Sequence, residues 1–161
     1  MGKEAKTNAM RMLERAKVNY TSHEYPHEEG QAVDGAHVAQ LTGQDPAKVF
    51  KTLVTQGADR NYYVFVVPVL AELDLKKAAK SVGVKSVAMI HVADINKVTG
   101  YIRGGCSPVG MKKQFPTVFH ATAADLPTIM VSAGRIGRQV QCDPKDLLAL
   151  LGAKTADIIV E

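Results

Sequence analysis

The hexapeptide Y-Y-V-F-V-V, residues 62–67, limits the fold of this chain more than any other stretch. Six consecutive aromatic and β-branched residues make a strand, and neither of its faces carries a charge or an amide. A strand apolar on both faces belongs to a sheet that is covered on both sides or closed on itself. Upstream, K-V-F-K-T-L-V (48–54) reads as a second strand, and the polar turn Q-G-A-D-R-N (56–61) joins the two as a hairpin.

That partner strand poses a chemical question. On period-2 alternation Lys51 shares a face with Val49 and Leu53, both aliphatic. On an edge, its stem can lie on apolar surface while its head reaches water. In a cleft, burial lowers its pKa unless an anion offsets the desolvation. There it could serve as a base, a Schiff-base amine or an electrostatic clamp. The residues alone do not choose among these.

The rest of the pattern is mixed. Residues 4–17 read as an amphipathic helix with Ala5, Ala9, Met12, Leu13 and Ala16 as its stripe, and Asn19 to Tyr25 as extended chain. Asp34 caps a helix that runs through Leu41 and ends at Gly43, and Asp45-Pro46 starts one further turn. A helix is expected from Leu73 to Val82, a strand over 86–90 and a short helix from Val92 to Val98. Further strands are expected around Tyr101–Ile102 and over 117–120, 128–132 and 138–142. Asp143, Pro144, Asp146 and Gly152 frame a last helix. The fold class is α/β (α+β): one compact domain spanning 1–161, with many strands and helices around them.

At 161 residues the chain can bury a sizeable core. No apolar run is long enough for a membrane span, and the first ten residues lack the apolar core of a signal peptide. Its two cysteines, Cys106 and Cys142, lie far apart without a secretory cue, so a reduced, cytoplasmic protein is expected. The net charge of +4 is compatible with a polyanionic partner. Basic residues gather at Lys76, Lys77, Lys80 and Lys85, at Lys112–Lys113, and at Arg135 and Arg138.

Three stretches could carry chemistry. His23-Glu24-Tyr25-Pro26-His27 spells H-E-x-x-H, which binds zinc only on a helix; Pro26 would break that helix, so no metal is expected. Cys106 has no evident activating base and reads as structural. T-G-Y-I-R-G-G-C-S-P-V-G (99–110) has four glycines but lacks the Gly-Lys-Ser/Thr ending of a P-loop. It is either a tight turn or a backbone cradle for a carbonyl or phosphate oxygen.

K-T-L-V (51–54), the strand ending at Pro68, L-D-L-K-K-A-A-K (73–80), the glycine loop 99–110 and V-S-A-G-R-I-G (131–137) together resemble the YbaK/EbsC family. Its members are aminoacyl-tRNA deacylases related to the editing domain of prolyl-tRNA synthetases. The resemblance runs from about Asn8 to Ile158, and the Cys-tRNA(Pro) deacylase branch is most similar. It implies a mixed, barrel-like sheet surrounded by helices, no cofactor, and the 3′ end of an aminoacylated tRNA as substrate. Prolyl-tRNA synthetase is a candidate partner; no membrane or DNA is implied. It also implies a substrate-assisted reaction, in which the thiol of the mischarged cysteine attacks its own ester. Lys51 then anchors the aminoacylated end, Gly104 flanks the carbonyl, and Ser132 completes the catalytic set. Tyr25, Thr52, Pro68, Gly105, Ser107 and Gly134 form the substrate-binding set. The chain departs from the family pattern at Gln139, where many members have an acid, and in Ser132-Ala133-Gly134-Arg135. Clearance of another small amino acid such as alanine, or a binding module for tRNA or a synthetase, are the alternatives.

Overall fold

The computed structural model describes residues 6–28 and 31–161. The first helix, α1 (Asn8–Arg15), is capped by the Thr7 hydroxyl, which accepts the Met10 N–H. Its expected opening residues Glu4 and Ala5 lie outside the described residues. The chain continues through β1 (Tyr20–Glu24), α2 (Gly35–Thr42), β2 (Phe50–Gly57), β3 (Tyr62–Pro68), α3 (Leu75–Ser81), β4 (Val87–Met89) and α4 (Val92–Thr99). Then come β5 (Thr117–His120), β6 (Ile129–Arg135), β7 (Arg138–Cys142), α5 (Pro144–Leu151) and β8 (Lys154–Ala156). Asp34, Asp74 and Asp143 cap α2, α3 and α5 through side-chain hydrogen bonds to backbone amides, satisfying donors that a helix start leaves open.

The strands form two sheets. One has three strands in the order β1-β7-β6, both pairings antiparallel. The other has five in the order β4-β2-β3-β5-β8. Within it β2–β3 and β2–β4 are antiparallel, and β3–β5 and β5–β8 parallel. Val49 and Met130 form an isolated bridge that ties the start of β2 to β6.

The two apolar faces of β3 go to two cores. Val64 and Val66 join Phe50, Val54, Phe119, Ile129, Val131 and Val140 between the sheets, with α1 and α5 closing that core through Met10, Leu13 and Leu147. Tyr63, Phe65 and Val67 pack on the other side against Ala78 and Ala79 of α3, with Val118 and Ile158. Fully burying each aromatic or aliphatic side chain contributes about 1.5–3 kcal/mol, so both faces of the strand hold the fold.

Two expectations are corrected. The sheet is not a closed barrel: it is split in two, and burial of both faces of β3 is achieved by layers above and below rather than by closure. Tyr101–Ile102 is not a strand, because the Tyr101 N–H donates to Thr99 Oγ1 and its hydroxyl to the Val109 carbonyl, folding the segment onto its own loop. No helix of the described residues is long and apolar enough to cross a membrane.

Candidate active site

The seam where the two sheets meet opens into a cleft of about 540 Å³. The five-stranded sheet contributes Lys51 and Thr52 from the start of β2, the three-stranded sheet Ser132 from β6 and Gln139 from β7, and the end of β1 leads into Tyr25. Ser132 and Gln139 are direct cross-strand partners, and the Tyr25 N–H donates to the Gly137 carbonyl at 2.9 Å. Register therefore brings together residues that lie far apart in the chain. Gly104 and Cys106 of the glycine loop and Asp34 at the start of α2 complete the wall.

Lys51 is partly buried, and desolvation lowers its pKa; the Glu72 carboxylate opposes this only in part. Its ammonium makes no hydrogen bond or ion pair within the described residues. Three further buried polar atoms here have no partner among the described residues: Tyr25 Oη, Thr52 Oγ1 and Gln139 Oε1. Buried polar atoms are almost always satisfied, and each orphan costs about 1–3 kcal/mol. Their convergence on one cleft marks where a polar ligand would bind. Ser132 Oγ accepts the Gly134 N–H at 3.1 Å and keeps its own proton to donate.

The glycine loop is fixed by close backbone approach. Gly104 has φ of +84°, and a Cβ there would lie 2.7 Å from that of Ala32. At Gly105 a Cβ would stand 3.0–3.2 Å from the Arg135 and Ile136 backbone, so the loop docks on the β6–β7 turn without an intervening side chain. Gly105→Ala is expected to cost about 1–3 kcal/mol, the range for overpacking a filled space, measured by urea unfolding; unchanged stability would mean the loop is not docked this way. The Gly105 N–H is taken up by the Ile102 carbonyl at 3.0 Å, whereas the amides of Gly104 and Cys106 have no acceptor among the described residues.

The cleft thus unites Lys51, Thr52, Tyr25, Gly104 and Ser132. It does not include Pro68, Gly105, Ser107 or Gly134 in its wall. Pro68 ends β3 opposite Phe50, and Ser107 is buried with its Oγ accepting the Val109 N–H. Gly105 faces the β6–β7 turn, and Gly134 lies under the Tyr101 ring. Sequence reasoning misses Asp34 and the cationic Arg103 as wall residues; Asp34 is legible only as a helix cap, and nothing local marks Arg103.

The H-E-x-x-H segment runs from the end of β1 into irregular chain, not along a helix. His23 pairs with Gln141 Oε1 at 2.7 Å, and no His/Cys/Asp/Glu group among the described residues could hold a metal. Burial pushes the Cys106 thiol up to about 11, which keeps it protonated near neutrality.

A half-buried lysine, backbone amides and hydroxyls around one cleft form a set of donors suited to a polar ligand with acceptor oxygens. The family model described as the aminoacyl-tRNA editing domain matches residues 29–150, and the chain belongs to that family. EbsC of Enterococcus faecalis, provisionally named a Cys-tRNA(Pro)/Cys-tRNA(Cys) deacylase, is 46% identical over 153 residues, covering 95% of this chain and 93% of that protein. A crystal structure provisionally described as a trans-editing enzyme for prolyl-tRNA synthetase superposes with a TM-score of 0.81 at 26% identity. That alignment covers 98% of this chain and 100% of the other. Hypothetical protein APE2540 shares the fold at a TM-score of 0.85 and 19% identity, over 96% and 100% of the two chains.

Proposed function

We propose that this protein is an aminoacyl-tRNA deacylase that clears cysteine from Cys-tRNA(Pro), acting as one domain on a tRNA already released from its synthetase. The observation that carries the reading is the pattern of unpaired groups. Lys51, Tyr25 and Thr52 offer donors, while Gln139 Oε1 offers an acceptor. An α-amino ester is complementary: its carbonyl and ribose oxygens accept, and its ammonium donates. The family match and the name of the Enterococcus relative support the substrate class. Likeness to the crystal structure provisionally described as a trans-editing enzyme for prolyl-tRNA synthetase supports that synthetase as the source of the mischarged tRNA.

The chemistry needs no protein nucleophile. The substrate thiolate attacks its own carbonyl carbon, a C–S bond forms, the ester C–O bond breaks, and the ribose oxygen leaves with a proton. Water then opens the cyclic thiolactone to free cysteine. The protein holds the compact reactive conformation and stabilises the oxyanion with Lys51 and the Gly104 and Cys106 amides. A synthetase pocket for proline cannot reject a side chain of similar size strongly enough, so a second sieve has a physical purpose.

The test is to incubate the protein with a panel of mischarged tRNAs and record which lose their amino acid. Loss of cysteine first supports the reading, preferential loss of alanine would redirect it, and no loss would leave a binding module. Because the Cys106 thiol is protonated and is not the attacking group, Cys106→Ser should retain more than half of the activity, as should chelator-treated wild type. A tenfold fall in either would overturn the proposed chemistry.

A further inference from the structure

Beside the cleft runs a second cavity of about 270 Å³, lined by Gln56, Tyr62, Met89, His91 and Asp94 and sharing Met89 and Ile90 with it. We propose that this groove is a nucleobase subsite that takes an amino-bearing base of the tRNA 3′ end, an inference that rests on the ester reading of the cleft.

Position is the first argument. Thr52 and Gln56 lie on one face of β2 four residues apart, about 13 Å at ~3.3 Å per residue. That separation suits an esterified ribose at one end and its own base, or the next one, at the other.

The lining is the second. Tyr62 presents an aromatic ring steadied by Phe115, which meets it edge-on with centroids 5.6 Å apart. His91 opens α4 without a side-chain capping bond, and Met89 is 47% exposed, so both remain available to a flat ligand. Stacking of this kind tolerates any base.

The polar groups add selectivity. Gln56 Nε2 donates to the Arg60 carbonyl at 3.1 Å, which leaves Oε1 to accept. Among the described residues, the Asp94 carboxylate meets only a distant ion pair, 3.8 Å to Lys97. A groove of acceptors with a carboxylate repels phosphate, and so favours a base over the sugar-phosphate chain. Adenine and cytosine carry exocyclic amino donors, whereas guanine and uracil present a carbonyl at that position. All three residues of the C-C-A end shared by tRNAs are amino-bearing. The groove would therefore read the common end, leaving discrimination among tRNAs to contacts elsewhere.

The experiment uses the full chain and tRNA labelled with 8-vinyladenine, which keeps the 6-amino group, at the terminal position, or with pyrrolocytosine at the penultimate one. The chain has no Trp to contribute emission. Quenching of one label on binding, lost in a His91→Ala/Asp94→Ala double variant, is expected and identifies which base occupies the groove. In deacylation the same variant should raise KM about 10-fold, the scale of losing one stacked base, with kcat within twofold. An unchanged KM in a folded variant, or no quenching of either label, would overturn the subsite. A wild type that cleaves no cysteinyl-tRNA would sink the cleft assignment instead, and the fluorescence would still judge the groove.

Discussion

Lys51→Ala is expected to slow deacylation by at least ~10²-fold, the scale of removing one positioned electrostatic group, while the fold survives. Desolvation has lowered the pKa of this lysine below that of the unfolded chain. The charged form is therefore disfavoured by folding: the penalty is fully present below the folded pKa and fades as pH rises toward the ordinary lysine value. Lys51→Met keeps the apolar stem and removes the charge, so at pH 7 it should melt no lower than wild type while being as inactive as the alanine variant. If the ammonium is the working form, activity must fall on the alkaline side at a pH below that of an ordinary lysine. Near-wild-type rates in a folded Lys51→Ala protein would sink the assignment.

The second large effect concerns the substrate. Cys-tRNA(Pro) should be cleared far faster than Ser-tRNA(Pro), which differs by one atom. A pocket that selects by shape and contacts separates such a pair by roughly 1–3 kcal/mol. Chemistry widens the gap, because a thiol with a pKa near 8.5 supplies thiolate close to neutral pH and an alcohol does not. The rate on cysteine should rise with pH through the thiol ionisation before falling as Lys51 loses its proton, giving a bell-shaped profile. Rapid quench with mass spectrometry should reveal the thiolactone ahead of free cysteine. Comparable rates for both substrates without a thiolactone would point to an enzyme-activated water, with Lys51 as its base.

What could be read in the sequence was what is decided locally. The β2–β3 hairpin, the caps at Asp34 and Asp143, and the helix-ending glycines Gly43 and Gly152 are set by neighbouring residues, and all are in place. The strand β8 was not legible: Lys-Thr-Ala has no strand pattern, and only its parallel pairing with β5 makes it one. The division into two sheets is likewise a matter of distant partners, since His23 of β1 pairs with Gln139 of β7. In the site, motifs pointed to Lys51, Thr52, Gly104 and Ser132, but motif membership does not say which way a residue faces. Ser107 and Gly134 belong to the same motifs but are not among the residues lining the cleft. Gln139, noticed only as a departure from the family pattern, contributes one of its unpaired atoms.

The short β8 has a consequence for how the chain is made. It is the outermost strand beside β5, and Ile158, just beyond it, is a fully buried member of the core beneath α3. Lys77 fastens the same segment through Asp157 and the Ile159 carbonyl, at 3.1 and 3.0 Å. Until residues 154–159 leave the ribosome, the β5 flank has open hydrogen-bonding groups and an unfilled apolar socket. Such an edge can template pairing with another chain. Folding of the five-stranded sheet thus waits for residues 154–159, and a chain cut before Lys154 should aggregate rather than persist as a smaller enzyme.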